Sequence, residues 1–155
     1  MRDKGIIPIL ITGFSVGLLW DFMTTFLGVV SIVASPKFSI SLSNFDPNTL
    51  GAYGIGVAST VIVFCFNLLT TDVWKEAREG KWTLVLPWFL CVVFDFFTSL
   101  AGNYHFILPE RQNQIAVTGV VWFATLLTTI SPMAVRYLIL EYQGKSISIK
   151  LDKTS

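Results

Sequence analysis

Charge is scarce in this chain. Only 14% of its 155 residues are Asp, Glu, Lys or Arg, the formal net charge is +1, and there are one histidine and two cysteines. A balance so close to zero excludes the extended basic surface that a nucleic-acid partner requires. Cys65 and Cys91 both fall inside apolar runs, away from the oxidising aqueous setting where structural disulfides form. His105 is distant from both along the chain, so no cluster with metal-ligand spacing exists and neither a metal nor a cofactor is expected. No glycine-rich phosphate loop appears, and no nucleophile stands near a base.

What fills the space is hydrophobic: 53% of the residues are apolar, and the mean hydropathy is +0.65. The chain is long enough for one unit rather than two, and its charges cluster between apolar runs. Four runs reach or exceed the roughly 20 residues that cross a bilayer, over 6–34, 50–71, 82–108 and 114–140. The first begins soon after Met1 but is about twice the length of a signal-peptide core, so it reads as a retained span. The expected fold is an all-α integral membrane protein with four transmembrane helices in a single domain over 1–155. An outer loop at 35–49, a charged cytoplasmic loop at 72–81 and a cytoplasmic tail at 141–155 connect and end it. Within these, Ser39 to Ser43 and Ser146 to Leu151 alternate in the manner of short strands. Pro87 in the third run and Ser131-Pro132 in the fourth suggest local bends.

Two aspartates interrupt the apolar pattern. Asp21 lies near the middle of the first run, in the stretch Trp20 to Gly28, and Asp95 lies near the middle of the third, in Phe94 to Gly102. Shifted by 74 residues, Asp21, Phe22, Thr24 and Gly28 fall on Asp95, Phe96, Thr98 and Gly102, with Thr25 falling on Ser99. In the second and fourth runs, Leu68-Leu69-Thr70-Thr71 matches Leu126-Leu127-Thr128-Thr129 at a shift of 58, which also places Thr60 on Thr118 and Asn67 on Thr125. The pattern predicts a tandem duplication of a two-helix unit, helices 1+2 repeated as 3+4. Because each unit holds two spans, the repeats are parallel, related by an axis along the membrane normal.

Gly13, Gly17, Asp21, Thr24 or Thr25, and Gly28 share one side of the first helix, a stripe of small and polar residues that is expected to face other helices. Gly13, Gly17, Gly28 and Gly102 are accordingly assigned to helix packing. Nine basic residues lie on the N-terminal side of the membrane (Arg2, Lys4, Lys75, Arg78, Lys81, Arg136, Lys145, Lys150, Lys153), against Lys37 and Arg111 on the other. That asymmetry puts both termini in the cytoplasm and points to the plasma (inner) membrane.

An ionised Asp at a helix centre costs about 2.5–3.5 kcal/mol on insertion scales, and no Lys or Arg stands at that depth to neutralise it. The aspartates therefore require hydroxyls, water, a cation or a proton, and at least one is expected to be protonated at neutral pH. Thr24, Thr25, Thr98, Ser99 and Asn67 are the candidate partners of Asp21 and Asp95 in an ion- or proton-binding site. The expected function is binding or conduction of a proton, small cation or small polar solute at this seam, by a homo-oligomer or within a membrane complex. The competing reading is a non-transporting subunit or oligomerising effector in which neutral aspartates join helices through hydrogen bonds. Paired intramembrane aspartates also occur in the intramembrane aspartyl proteases. Here Trp20 and Phe94 precede the carboxyls where that family carries its glycine motif, so no enzyme is expected.

Overall fold

Inside hydrocarbon a backbone must satisfy its own polar groups, and a long apolar segment does so as a helix. The computed structural model describes residues 6–34, 47–107 and 115–152, and every regular element in them is helical. They are α1 (Ile6–Val33), α2 (Pro47–Leu68), α3 (Thr70–Arg78), α4 (Val85–Ile107) and α5 (Ile115–Asp152). Four of the five, all but α3, are long and apolar enough to cross a membrane. The Ser39 to Ser43 alternation, most of the 35–49 connection and the Pro109 to Asn113 connection lie outside the described residues.

The interior is inverted relative to a water-soluble bundle. Polar side chains are about as numerous as apolar ones among the buried residues, while Ile9, Val16, Leu86, Val120 and Phe123 lie on the outside. An outer apolar face needs lipid around it, and this is an integral, multi-pass membrane protein. The two aspartate-bearing helices, α1 and α4, form the central pair, with α2 and α5 each packed against both.

Glycine makes that central crossing possible. A Cβ on Gly28 would stand 1.8 Å from the Thr98 carbonyl oxygen, and one on Gly102 would stand 2.0 Å from the Thr24 carbonyl oxygen. Only a residue without a Cβ allows backbones to approach so closely, the small-xxx-small logic of membrane helix pairs. Gly17 serves the α1–α5 contact, where a Cβ would meet Ser131 Oγ at 2.4 Å. Gly13 differs from its expected packing role, as nothing lies within 4 Å of the position its Cβ would take.

The charged segment expected as a loop over 72–81 is instead largely the short helix α3. Asp72 in its first turn and Lys75 and Arg78 in its last complement the helix dipole. Val73 and Ala77, four residues apart, are buried on one face. The helix ends in a Schellman motif, with Gly80 N–H donating to Ala77 O and Lys81 N–H to Glu76 O, each at 3.0 Å. Gly80 supplies the required left-handed residue at φ +87°. Trp74 packs edge-on against Trp88 of α4, Trp88 Nε1 donates to Thr70 Oγ1 at 2.8 Å, and Asp72 pairs with Arg136 of α5.

Two further expectations change. Pro87 is the third residue of α4, in the first turn, where a backbone N–H has no partner within the helix, so its ring breaks no hydrogen bond. The fourth span runs unbroken through Pro132, and the 141–152 part of the tail continues it as helix rather than as a strand or a free end.

Candidate functional site

The close α1–α4 crossing brings the two carboxyls into one polar layer. Asp21 and Asp95 are 3% and 1% exposed, and Thr24, Thr25, Thr98, Ser99 and Asn67 are all buried with them. Asp95 is held from two helices: Thr25 Oγ1 of α1 donates to Asp95 Oδ1 at 2.6 Å, and Asn67 Nδ2 of α2 donates to Asp95 Oδ2 at 2.5 Å. Asp21 Oδ1 and Ser99 Oγ of α4 are hydrogen-bonded at 3.0 Å. The hydroxyls of Thr25 and Ser99 are themselves 2.7 Å apart.

A continuous chain of four oxygens therefore runs from one carboxyl to the other, Asp21 Oδ1 to Ser99 Oγ to Thr25 Oγ1 to Asp95 Oδ1. Its members exchange roles under the 74-residue shift, Asp21 with Asp95 and Thr25 with Ser99. Both carboxyls also line one narrow space between the helices. Thr129 of α5 sits next to Asp21 with its Oγ1 outside hydrogen-bond geometry, and Asn67 Oδ1 is likewise buried without a partner.

Thr24 and Thr98 do different work. Each hydroxyl turns back to its own helix, Thr24 Oγ1 to Trp20 O at 3.0 Å and Thr98 Oγ1 to Phe94 O at 2.8 Å. Their backbone carbonyls meet Gly102 and Gly28, so these threonines belong to the crossing more than to the carboxyls. Thr24 Oγ1 also lies 3.2 Å from Ser99 Oγ, at the edge of the chain.

Beside the carboxyl pair is a crevice of about 150 Å³, too finely divided to hold a water molecule. Thr60, Val63 and Asn67 of α2 line it with Asp21, Thr25 and Asp95, and its remaining walls are Phe22 and Phe64. Those two rings pack edge to face with centroids 5.8 Å apart. Among the described residues no three His, Cys, Asp or Glu side chains come together as a metal site would need.

A second polar cluster sits on the other side of the crossing. Trp20 Nε1 donates to Asn103 Oδ1 at 2.9 Å, Asn103 Nδ2 donates to Thr125 Oγ1 at 2.9 Å, and Thr125 Oγ1 donates to Val121 O at 2.8 Å. It ties α1, α4 and α5 together through neutral groups. Sequence reasoning missed Asn103 because its counterpart at a shift of 74 is Val29, so the repeat does not mark it. The available signal was an amide two helical turns beyond Asp95, on the same face.

No protein-family model, curated protein or solved structure matches this chain.

Proposed function

We propose that this protein binds a proton, small cation or small polar solute at the seam between α1 and α4, and passes it across the membrane as an oligomer. One observation carries the reading: two carboxyls buried at mid-span are joined by a chain of hydroxyls. Intramembrane acids so placed mark ion and proton pathways. Of the three cargoes the proton fits best, since the crevice beside the carboxyls has no room for a hydrated ion. The same narrowness supports an assembly of more than one copy, because a single bundle with so tight a seam offers a solute little room. The role exchange of Asp21 and Thr25 with Asp95 and Ser99, and of Gly28 and Thr98 with Gly102 and Thr24, supports origin by tandem duplication. The nine-to-two distribution of basic residues favours cytoplasmic termini in a plasma membrane.

A second reading has support from Asp95, which bonds α1 and α2 at once and so also acts as a helix joint. The test is flux of protons and alkali cations into liposomes, comparing wild type with Asp21→Asn, Asp95→Asn at equal oligomer state. A fall of tenfold or more in the double variant with its assembly intact supports conduction. Absence of flux in both, with the variant dissociating in detergent, identifies a non-transporting subunit.

A further inference from the structure

The oxygen chain has three contacts and only two hydroxyl protons to fill them. If both carboxyls were ionised, Thr25 would donate to Asp95 and Ser99 to Asp21, leaving two bare oxygens facing each other at the 2.7 Å between Thr25 and Ser99. A contact that short between hydroxyls is a hydrogen bond and requires a proton in it. Thr24 does not supply it, because a proton from Thr24 to Ser99 fills none of the three contacts. If both carboxyls were protonated and donating into the chain, four protons would compete for three contacts. One carboxyl proton fills the chain completely.

We infer that Asp21 and Asp95 hold a single shared proton, relayed between them through Ser99 and Thr25. This rests on the reading of the seam as a proton site and specifies its cargo and its stoichiometry. In one polarity Asp21 donates to Ser99, Ser99 to Thr25 and Thr25 to Asp95. The relay is a shift of three protons by one place each: the O–H bonds of Asp21, Ser99 and Thr25 break, and new ones form on Ser99, Thr25 and Asp95. Both hydroxyls end with one proton as before, the negative charge moves from Asp95 to Asp21, and the chain is left in the opposite polarity, ready to return. No other reactant is needed.

The resting polarity follows from Asn67. Its amide donates to the second oxygen of Asp95, so Asp95 accepts at both oxygens and is the anion, while Asp21 carries the proton. Outside the three contacts, the groups that face the pair are hydroxyls, an amide and a thiol. Besides Asp21 on α1 and Asp95 on α4, α2 presents Asn67 and Thr60, α5 presents Thr129, and Cys91 lies one turn before Asp95. Among the described residues no Lys, Arg or His is buried.

Infrared spectroscopy of the purified protein in bilayers tests the count. The carboxylic C=O stretch is isolated by its shift in D2O and by subtraction of the Asp21→Asn, Asp95→Asn double variant. Wild type at neutral pH should show one protonated carboxyl per chain. Either single variant, Asp21→Asn or Asp95→Asn, should lose the band entirely, since an amide N–H at one end supplies the third proton and leaves the remaining carboxyl ionised. Thr25→Ser, which keeps the hydroxyl, should retain the band and guards against a mere packing effect. Two protonated carboxyls in wild type, or none, would overturn the proposal, as would a band that survives in either single Asn variant. A protein with the expected bands but no flux in liposomes would keep the shared proton and lose transport, so the two readings fail separately.

Discussion

Gly28 and Thr98 meet backbone to backbone: a single methyl group on Gly28 would stand 1.8 Å from the Thr98 carbonyl oxygen. Gly102 and Thr24 repeat the relationship with the helices exchanged. The carboxyls lie on the same α1–α4 crossing, so the packing that places the site and the packing that stabilises the bundle are the same contact.

Substitution at the crossing is therefore expected to cost stability despite the gain in helix propensity. Gly28→Ala or Gly102→Ala should destabilise the bundle by about 1–3 kcal/mol through overpacking against backbone that has no soft end to yield. Gly13→Ala, in open space, should be neutral or stabilising by up to about 1 kcal/mol. Thermal unfolding of the three variants in one detergent measures the contrast. Equal midpoints would mean that the crossing is not a close backbone contact.

Trp20→Phe removes the donor to Asn103 Oδ1 and leaves a buried acceptor unpaired. A loss of about 1–3 kcal/mol is expected for the fold. The carboxylic infrared band should be unchanged, since the Trp20 indole N–H bonds to Asn103 and not to a member of the carboxyl chain. A change in that band would show that the two clusters are coupled.

Phe22 and Phe64 narrow the crevice, so Phe64→Ala should admit water to it. A cysteine placed at the buried Thr60 reports entry. Thr60→Cys should resist a membrane-impermeant maleimide when Phe64 is present and react at least tenfold faster with Phe64→Ala. Equal rates in the two backgrounds would remove the rings as a barrier.

The Arg136–Asp72 pair joins α5 to α3 at a partly exposed position. Solvent screens such a pair, and Arg136→Gln should cost only about 0.2–1 kcal/mol. The loss should shrink further at high salt, measured by the unfolding midpoint with and without added salt. A larger, salt-independent loss would point to packing by the Arg136 stem instead.

Four spans are legible in the amino-acid sequence alone, because a backbone in hydrocarbon has only the helix open to it and apolar length is read directly. Asp21 and Asp95 are legible there too, since carboxyls in apolar runs need no neighbours to be conspicuous, and their shared setting named Thr24, Thr25, Thr98, Ser99 and Asn67 with them. The remainder depends on how the helices pack. Whether Thr25 or Thr24 reaches a carboxyl depends on the rotation of α1 against α4, set by Gly28 and Gly102 at the crossing, and the two threonines are adjacent in sequence. Gly13 and Gly17 read alike in a GxxxG pattern, yet Ser131 of α5 lies against the Gly17 position while nothing lies within 4 Å of the Cβ position at Gly13. The helix α3 was hidden by its charge, which reads as solvated loop until Val73, Ala77 and Trp74 find the surface that buries or packs them. The order Asp21, Ser99, Thr25, Asp95 alternates between two helices, and a chain of oxygens that crosses from one helix to the other at every step exists only once those helices are packed.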